Sequence, residues 1–76
     1  MENLEIICLV TKSGLVGQRV WSDGVYVDLK FPVNLETNER YDAKEKISAF
    51  PRTDIAREAT EEETLNWVFY ATIESL

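Results

Sequence analysis

Residues 14–31 read Gly-Leu-Val-Gly-Gln-Arg-Val-Trp-Ser-Asp-Gly-Val-Tyr-Val-Asp-Leu-Lys-Phe. Side chains alternate with a period of two through residues 15–21 and again through 25–31, which predicts two strands. Asp23-Gly24 between them is typical of a tight hairpin turn that needs positive φ. Gly17 interrupts the first run and predicts a bulge. On the second strand, one face is expected to carry Val25, Val27, Leu29 and Phe31, and the other Tyr26, Asp28 and Lys30.

The flanking segments extend this β pattern in both directions. Residues 4–11 are rich in Ile, Leu and Val without helical spacing, and the turn sequence Lys12-Ser13-Gly14 follows, so they predict a buried strand. Pro32 lacks an N–H and is expected to end the third strand or lie at its edge. Residues 34–40 are polar and predict an exposed loop.

The segment from residue 41 to residue 59 is less regular. Residues 46–50 favour a strand, the alternative being a short helix capped by Asp42. Pro51 is expected to end that element. Residues 52–59 predict a short helical turn with Thr53 or Asp54 as N-cap.

The last 17 residues fit two structures. Thr60-Glu61-Glu62-Glu63 has the spacing of a capping box, and the apolar residues after it recur at helical intervals, which predicts a helix. However, residues 65–73 also alternate and are dense in β-forming side chains. A strand is slightly favoured, and the helix stays open as the alternative.

The segment of residues 14–31 resembles the opening hairpin of small Tudor-like or KOW-like barrels, and Tyr41-Asp42-Ala43-Lys44 resembles the start of their next strand. The resemblance implies a mainly β fold: a small barrel-like antiparallel sheet with a short helical turn, closed by pairing of the N-terminal strand with residues 67–73. The alternative is an α+β fold with a C-terminal helix on an antiparallel sheet. Domains of this architecture bind peptides, methylated side chains or RNA, but a shared fold does not establish a shared function.

Length and charge limit the classes of partner. A chain of 76 residues has room for one domain, spanning residues 1–76. Its net charge of −6 repels nucleic acid and anionic membranes, so neither is an expected ligand. The start lacks the basic segment of a signal peptide, no apolar run reaches the ~20 residues that span a bilayer, and the lone Cys8 is expected to be a buried thiol. We therefore expect a cytoplasmic protein.

Residue types argue against catalysis. The chain has no His and one Cys, so Cys/His zinc sites and Cys–His dyads are excluded. Gly14 and Gly17 lack the further glycine and the Lys of a phosphate-binding loop. Glu61-Glu62-Glu63 does not have the spacing of a calcium loop. We expect no metal, no cofactor and no enzymatic activity.

Acidic and aromatic side chains supply the candidate partner-binding residues. Glu58, Glu61, Glu62 and Glu63 predict a surface for a basic partner; the alternative is that they only favour a helix start. Trp67, Phe69, Phe31 and Phe50 are expected in the core. Trp21, Tyr26 and Tyr41 are candidate exposed anchors, with packing at the rim of the core as the alternative.

The sequence thus predicts a non-enzymatic protein-binding module, that is, an inhibitor, adaptor or small regulatory subunit docking a basic or mixed protein surface through its acidic C-terminal part. Short acidic proteins of this kind are common among phage and bacterial regulators. A structural subunit of a homo-oligomer is the alternative, with exposed strand edges pairing between protomers. RNA binding is less favoured because the charge opposes it.

Overall fold

The computed structural model describes residues 6–76 and has an α+β architecture. The elements are β1 (Cys8–Thr11), β2 (Val16–Ser22), β3 (Tyr26–Asn34), β4 (Glu39–Arg40), β5 (Ile47–Pro51), a 3₁₀ turn (Arg52–Asp54), β6 (Ile55–Glu58) and α1 (Glu61–Glu74). All strand pairs are antiparallel, in the order β4-β3-β2-β1-β6, and β5 also pairs with β3. The sheet is open, so the predicted closure into a barrel is wrong and the α+β alternative is correct.

β1 and β2 form the first hairpin, and the turn between them is stabilised by local hydrogen bonds. Gly14 adopts φ +93, a conformation that suits glycine, and its N–H donates to the carbonyl of Thr11 at 2.9 Å. The Thr11 hydroxyl accepts from the Leu15 N–H at 3.0 Å. The predicted first strand is confirmed from Cys8 onward, while residues 4 and 5 lie outside the described part.

The hairpin between β2 and β3 is confirmed, but its turn has a different cause from the one expected. The Asp23 carboxylate accepts hydrogen bonds from the N–H groups of Val25 and Tyr26, both at 2.7 Å. This is an Asx turn, in which an aspartate side chain replaces a backbone acceptor. Gly24 does not need positive φ, and β3 begins at Tyr26.

The pairing of β2 and β3 is irregular in three places, one of them a register shift between Arg19 and Trp21. The pairing register shifts between Val16 and Gln18, which confirms the bulge predicted at Gly17. Opposite it, Phe31 adopts φ 49, which is rare for an aromatic residue. Alternation along β3 switches there: Val27 and Leu29 join one hydrophobic cluster, whereas Phe31 joins the other. The prediction that these three residues share a face is therefore wrong.

The sheet consequently has two small cores, one on each side. The helix face lies under α1 and buries Cys8, Val10, Val16, Phe31, Val33 and Trp67. The open face buries Val27, Leu29 and Phe50, with Leu9, Leu15 and Ile55 packed against them. Both clusters are small, as expected because a short chain can bury only a limited share of its surface.

Residues 34–59 agree only partly with the prediction. β5 confirms the predicted strand near residues 46–50, whereas the helical turn predicted for residues 52–59 is present only as the 3₁₀ turn at Arg52–Asp54. The predicted N-cap was wrong, because Pro51 itself holds that position. β4, inside the predicted loop, and β6, inside the predicted helical turn, were missed.

The last segment forms α1, so the favoured strand is wrong. Its first turn closes a capping box: the Thr60 hydroxyl accepts from the Glu63 N–H at 3.1 Å, and the Glu63 carboxylate accepts from the Thr60 N–H at 2.8 Å. One turn later the Trp67 indole N–H donates to the carbonyl of Phe31 at 3.0 Å in a buried contact. Local capping and this tertiary contact outweigh the β propensity of residues 67–70.

Candidate functional site

An apolar stripe runs along the outward side of α1. It consists of Leu65, Phe69 and Ile73, which are 63%, 73% and 57% exposed. Because they are four residues apart, they lie in one row on the helix surface. Phe69 was predicted to be a core residue and is not, whereas Trp67, Phe31 and Phe50 are buried as expected.

The inward side of the same helix already carries its packing residues. Trp67 is 3% exposed, and Val68, Tyr70 and Ala71 pack against the same cluster. The helix is therefore apolar on two sides, although one side suffices to attach it to the sheet. Scattered exposed apolar residues are ordinary, but a contiguous exposed set marks an interaction surface.

Two carboxylates stand at the head of the stripe. Glu61 and Glu62 are exposed in the first helical turn, four and three residues before Leu65, so they lie on the same outward side. Neither forms an ion pair within residues 6–76. Glu58 is also exposed, at the end of β6. Three of the four predicted acidic residues are thus free to meet another surface.

Glu63 is different because it is bound within the domain. Its carboxylate accepts two hydrogen bonds from the Arg57 guanidinium, at 2.8 and 2.9 Å, besides the capping bond from Thr60. Arg57 first, and then the Thr60 N–H, lower the pKa of Glu63 from its ordinary value of 4.5 to about 2. Glu63 therefore serves the helix start, which was the alternative interpretation of the acidic run.

This pKa shift makes a pH-dependent contribution to stability. Because the folded pKa lies below the unfolded one, the contribution is present above pH 4.5 and is lost as the pH falls toward about 2. Glu63→Gln keeps a capping acceptor but removes the ion pair, so it should lower the denaturation midpoint slightly at neutral pH, since the pair is partly exposed. Urea titrations of both proteins from pH 7 to 2 should show the difference shrinking; a constant difference would contradict this assignment.

Arg40 contacts the C-terminal end of α1. Its guanidinium lies 3.4 Å from the Glu74 carboxylate and 4.8 Å from the centre of the Phe31 ring. It also donates to the carbonyls of Asp42 and Glu45. Arg40 and Arg57 thus form ion pairs with Glu74 and Glu63 of α1, and the outward side of the helix stays acidic.

The three candidate aromatic residues are exposed but lie apart from the stripe. Trp21, Tyr26 and Tyr41 are 52%, 49% and 58% exposed. Trp21 pairs with Asp28, two residues from Tyr26, so alternation places both near the β2–β3 hairpin on one side of the sheet. Tyr41 packs against Phe50 of the open face, with ring centres 4.9 Å apart. The structure therefore does not bring the three together.

Two further features are a buried thiol and a groove next to the stripe. Cys8 is a free, buried thiol, as predicted, and burial raises its pKa to about 11. A shallow groove of about 440 Å³ borders the stripe between α1 and the β3–β4 turn, lined by Leu35, Asn38, Asn66, Phe69, Tyr70 and Ile73. Within residues 6–76, no helix has the length and apolarity to cross a membrane.

Fold and surface together define a small open-sheet α+β domain in which α1 presents an apolar stripe headed by carboxylates. Comparison with protein-family models, with curated proteins and with solved structures finds no match.

Proposed function

We propose that this domain is a non-enzymatic protein-binding module that docks a partner protein through the outward side of α1. The apolar stripe supplies the contact area, and Phe69, at 73% exposed, is the observation that carries the proposal. A helix laid into an apolar groove, read at intervals of four residues, is a common mode of protein recognition. An inhibitor, adaptor or regulatory subunit would each use such a surface.

Charge indicates the chemistry of the partner. Glu61 and Glu62 lie at the start of the stripe and pair with no cation among residues 6–76, and the whole chain carries a net charge of −6. A partner groove bordered by Lys or Arg at the end that meets these carboxylates would be electrostatically complementary. Its attraction would speed the encounter, while burial of Leu65, Phe69 and Ile73 would slow dissociation.

A second copy fits the same surface less well. If two α1 helices paired parallel, their acidic starts would coincide, and like charges repel. If they paired antiparallel, Glu61 and Glu62 of each would meet the C-terminal end of the other helix, where the helix dipole is negative and Arg40 is already paired with Glu74. Both arrangements are therefore electrostatically unfavourable for Glu61 and Glu62. Assembly through strand edges remains the alternative function, and a concentration-dependent increase in mass by light scattering would favour it. RNA is disfavoured because the same carboxylates repel phosphates.

The first experiment identifies the partner by cross-linking it to the proposed docking surface. A photo-reactive phenylalanine analogue replaces Phe69, and the same analogue at exposed Val25, on the distant hairpin, is the control. We expect one protein to cross-link at position 69 and not at position 25. A basic groove on that protein would agree with the proposal.

The contribution of each residue is then measured with the purified partner. Phe69→Ser should weaken binding at least tenfold while leaving the unfolding midpoint nearly unchanged, because the side chain is exposed. Glu61→Lys/Glu62→Lys should slow association and reduce its salt dependence. Glu45→Lys/Asp54→Lys adds the same charge at exposed positions outside α1 and is the matched control. Equal affinity of Phe69→Ser and the original chain would reject the helix as the docking surface.

A further inference from the structure

A cleft on the open face combines an apolar floor with two arginines. Its volume is about 350 Å³, near the lower end of small-ligand sites, which begin at roughly 300 Å³. Leu9, Val27 and Ile55 form the floor, and they belong to the cluster that α1 does not cover. Arg19 of β2 and Arg52 of the 3₁₀ turn stand at the rim.

Both rim arginines are available to a ligand. Neither forms an ion pair within residues 6–76, although the chain has 14 acidic residues against 8 basic ones. The Arg52 guanidinium is oriented by one hydrogen bond to the carbonyl of Asp23, at 2.9 Å, which leaves its remaining N–H groups uncommitted. Arg57 also borders the cleft, but Glu63 neutralises it.

The net charge of the residues that line the cleft determines which class of anion it favours. Glu58 also lines the cleft, so the lining residues Arg19, Arg52 and Glu58 together leave one positive charge. A single positive charge matches a monovalent carboxylate better than a divalent phosphate, and a guanidinium binds the two oxygens of a carboxylate in parallel. The floor of Leu9, Val27 and Ile55 gains by covering apolar surface on the ligand.

We propose that this cleft binds a carboxylate carried on a small apolar body. Arg19 and Arg52 hold the carboxylate, and the apolar part of the ligand lies on the floor. The ligand is either a free organic acid or the C-terminus of a peptide, since both present the same chemistry. This site is on the opposite side of the sheet from the apolar stripe and does not depend on the docking function.

The experiment is a titration of the full chain followed by two-dimensional amide NMR. The probe is 4-phenylbutyrate, and its uncharged amide is the matched control ligand. We expect saturable shifts at Leu9, Arg19, Val27 and Ile55, with the amide binding at least tenfold more weakly. N-acetylated Ala-Ala-Phe and its C-terminal amide form the second pair: tighter binding of this peptide acid than of phenylbutyrate assigns a chain terminus, and the reverse assigns a free acid.

Variants separate the cleft from general attraction of anions. Arg19→Gln and Arg52→Gln should each weaken phenylbutyrate binding at least tenfold, whereas Lys44→Gln, which removes an exposed cation outside the cleft, should not. Both arginines are exposed, so folding should survive, as circular dichroism would verify. Equal binding of acid and amide, equal binding in all three variants, or equally tight inorganic phosphate would overturn the assignment.

Discussion

Trp67→Ala is expected to lower the free energy of unfolding by about 3–5 kcal/mol, the usual effect of removing a buried aromatic side chain. Trp67 is 3% exposed and is the one fully buried residue of α1, so its ring supplies the main contact between helix and sheet. Small domains have only about 5–15 kcal/mol in total. The variant should therefore be largely unfolded in urea concentrations at which the original chain is still folded, as measured by far-UV circular dichroism.

A conservative variant separates packing from hydrogen bonding. Trp67→Phe keeps most of the apolar surface but removes the indole N–H, which in the original chain donates to the carbonyl of Phe31 at 3.0 Å. That carbonyl is then left without its donor. An unsatisfied buried acceptor costs about 1–3 kcal/mol. If Trp67→Ala and Trp67→Phe destabilised equally, the hydrogen bond rather than the ring would hold the helix; a loss below about 1 kcal/mol in both would contradict the observed packing.

Gly17→Ala is expected to destabilise the domain by about 1–3 kcal/mol, the usual effect of overpacking. A Cβ at position 17 would lie 3.0 Å from the Leu29 Cβ, 3.2 Å from the Lys30 carbonyl oxygen and 3.2 Å from the Pro32 Cα. Two of these neighbours are backbone atoms at the kink of β3 and cannot rotate away. Urea midpoints of the variant and the original chain provide the measurement.

Gly24→Ala is the matched control, because a Cβ there meets nothing within 4 Å. The same exchange at this position should change stability by no more than about 0.5 kcal/mol. Equal effects at positions 17 and 24 would mean that loss of glycine flexibility, not crowding at the bulge, determines the result.

Local patterns predicted the first half of the sheet well. β-branched runs, period-two alternation and the Asp23-Gly24 turn are short-range signals, and the β1–β3 meander consists of short-range pairings. The reversal at Phe31 could not be predicted in this way. A positive φ is locally unfavourable for an aromatic residue, and it persists only because distant residues, Lys46 and Trp67, bond the backbone groups of Phe31.

The C-terminal segment shows a second limit of local patterns. Residues 65–73 satisfied both the strand and the helix period, and the capping box of Thr60 and Glu63 was the signal that agreed with the structure. A correct prediction of this helix from the sequence would still not have identified the candidate site. Both the row containing Trp67 and the row containing Phe69 are apolar, and the sequence does not say which of them faces the sheet.

The apolar stripe also has a consequence for the colloidal behaviour of the unbound protein. Exposed Leu, Phe and Ile side chains attract one another, and at neutral pH the net charge of −6 opposes that attraction by keeping copies apart. Near the isoelectric point of about 4.5 this repulsion vanishes while the stripe is unchanged. The acidity that would attract a basic partner therefore also sets the pH range in which the free domain stays dispersed.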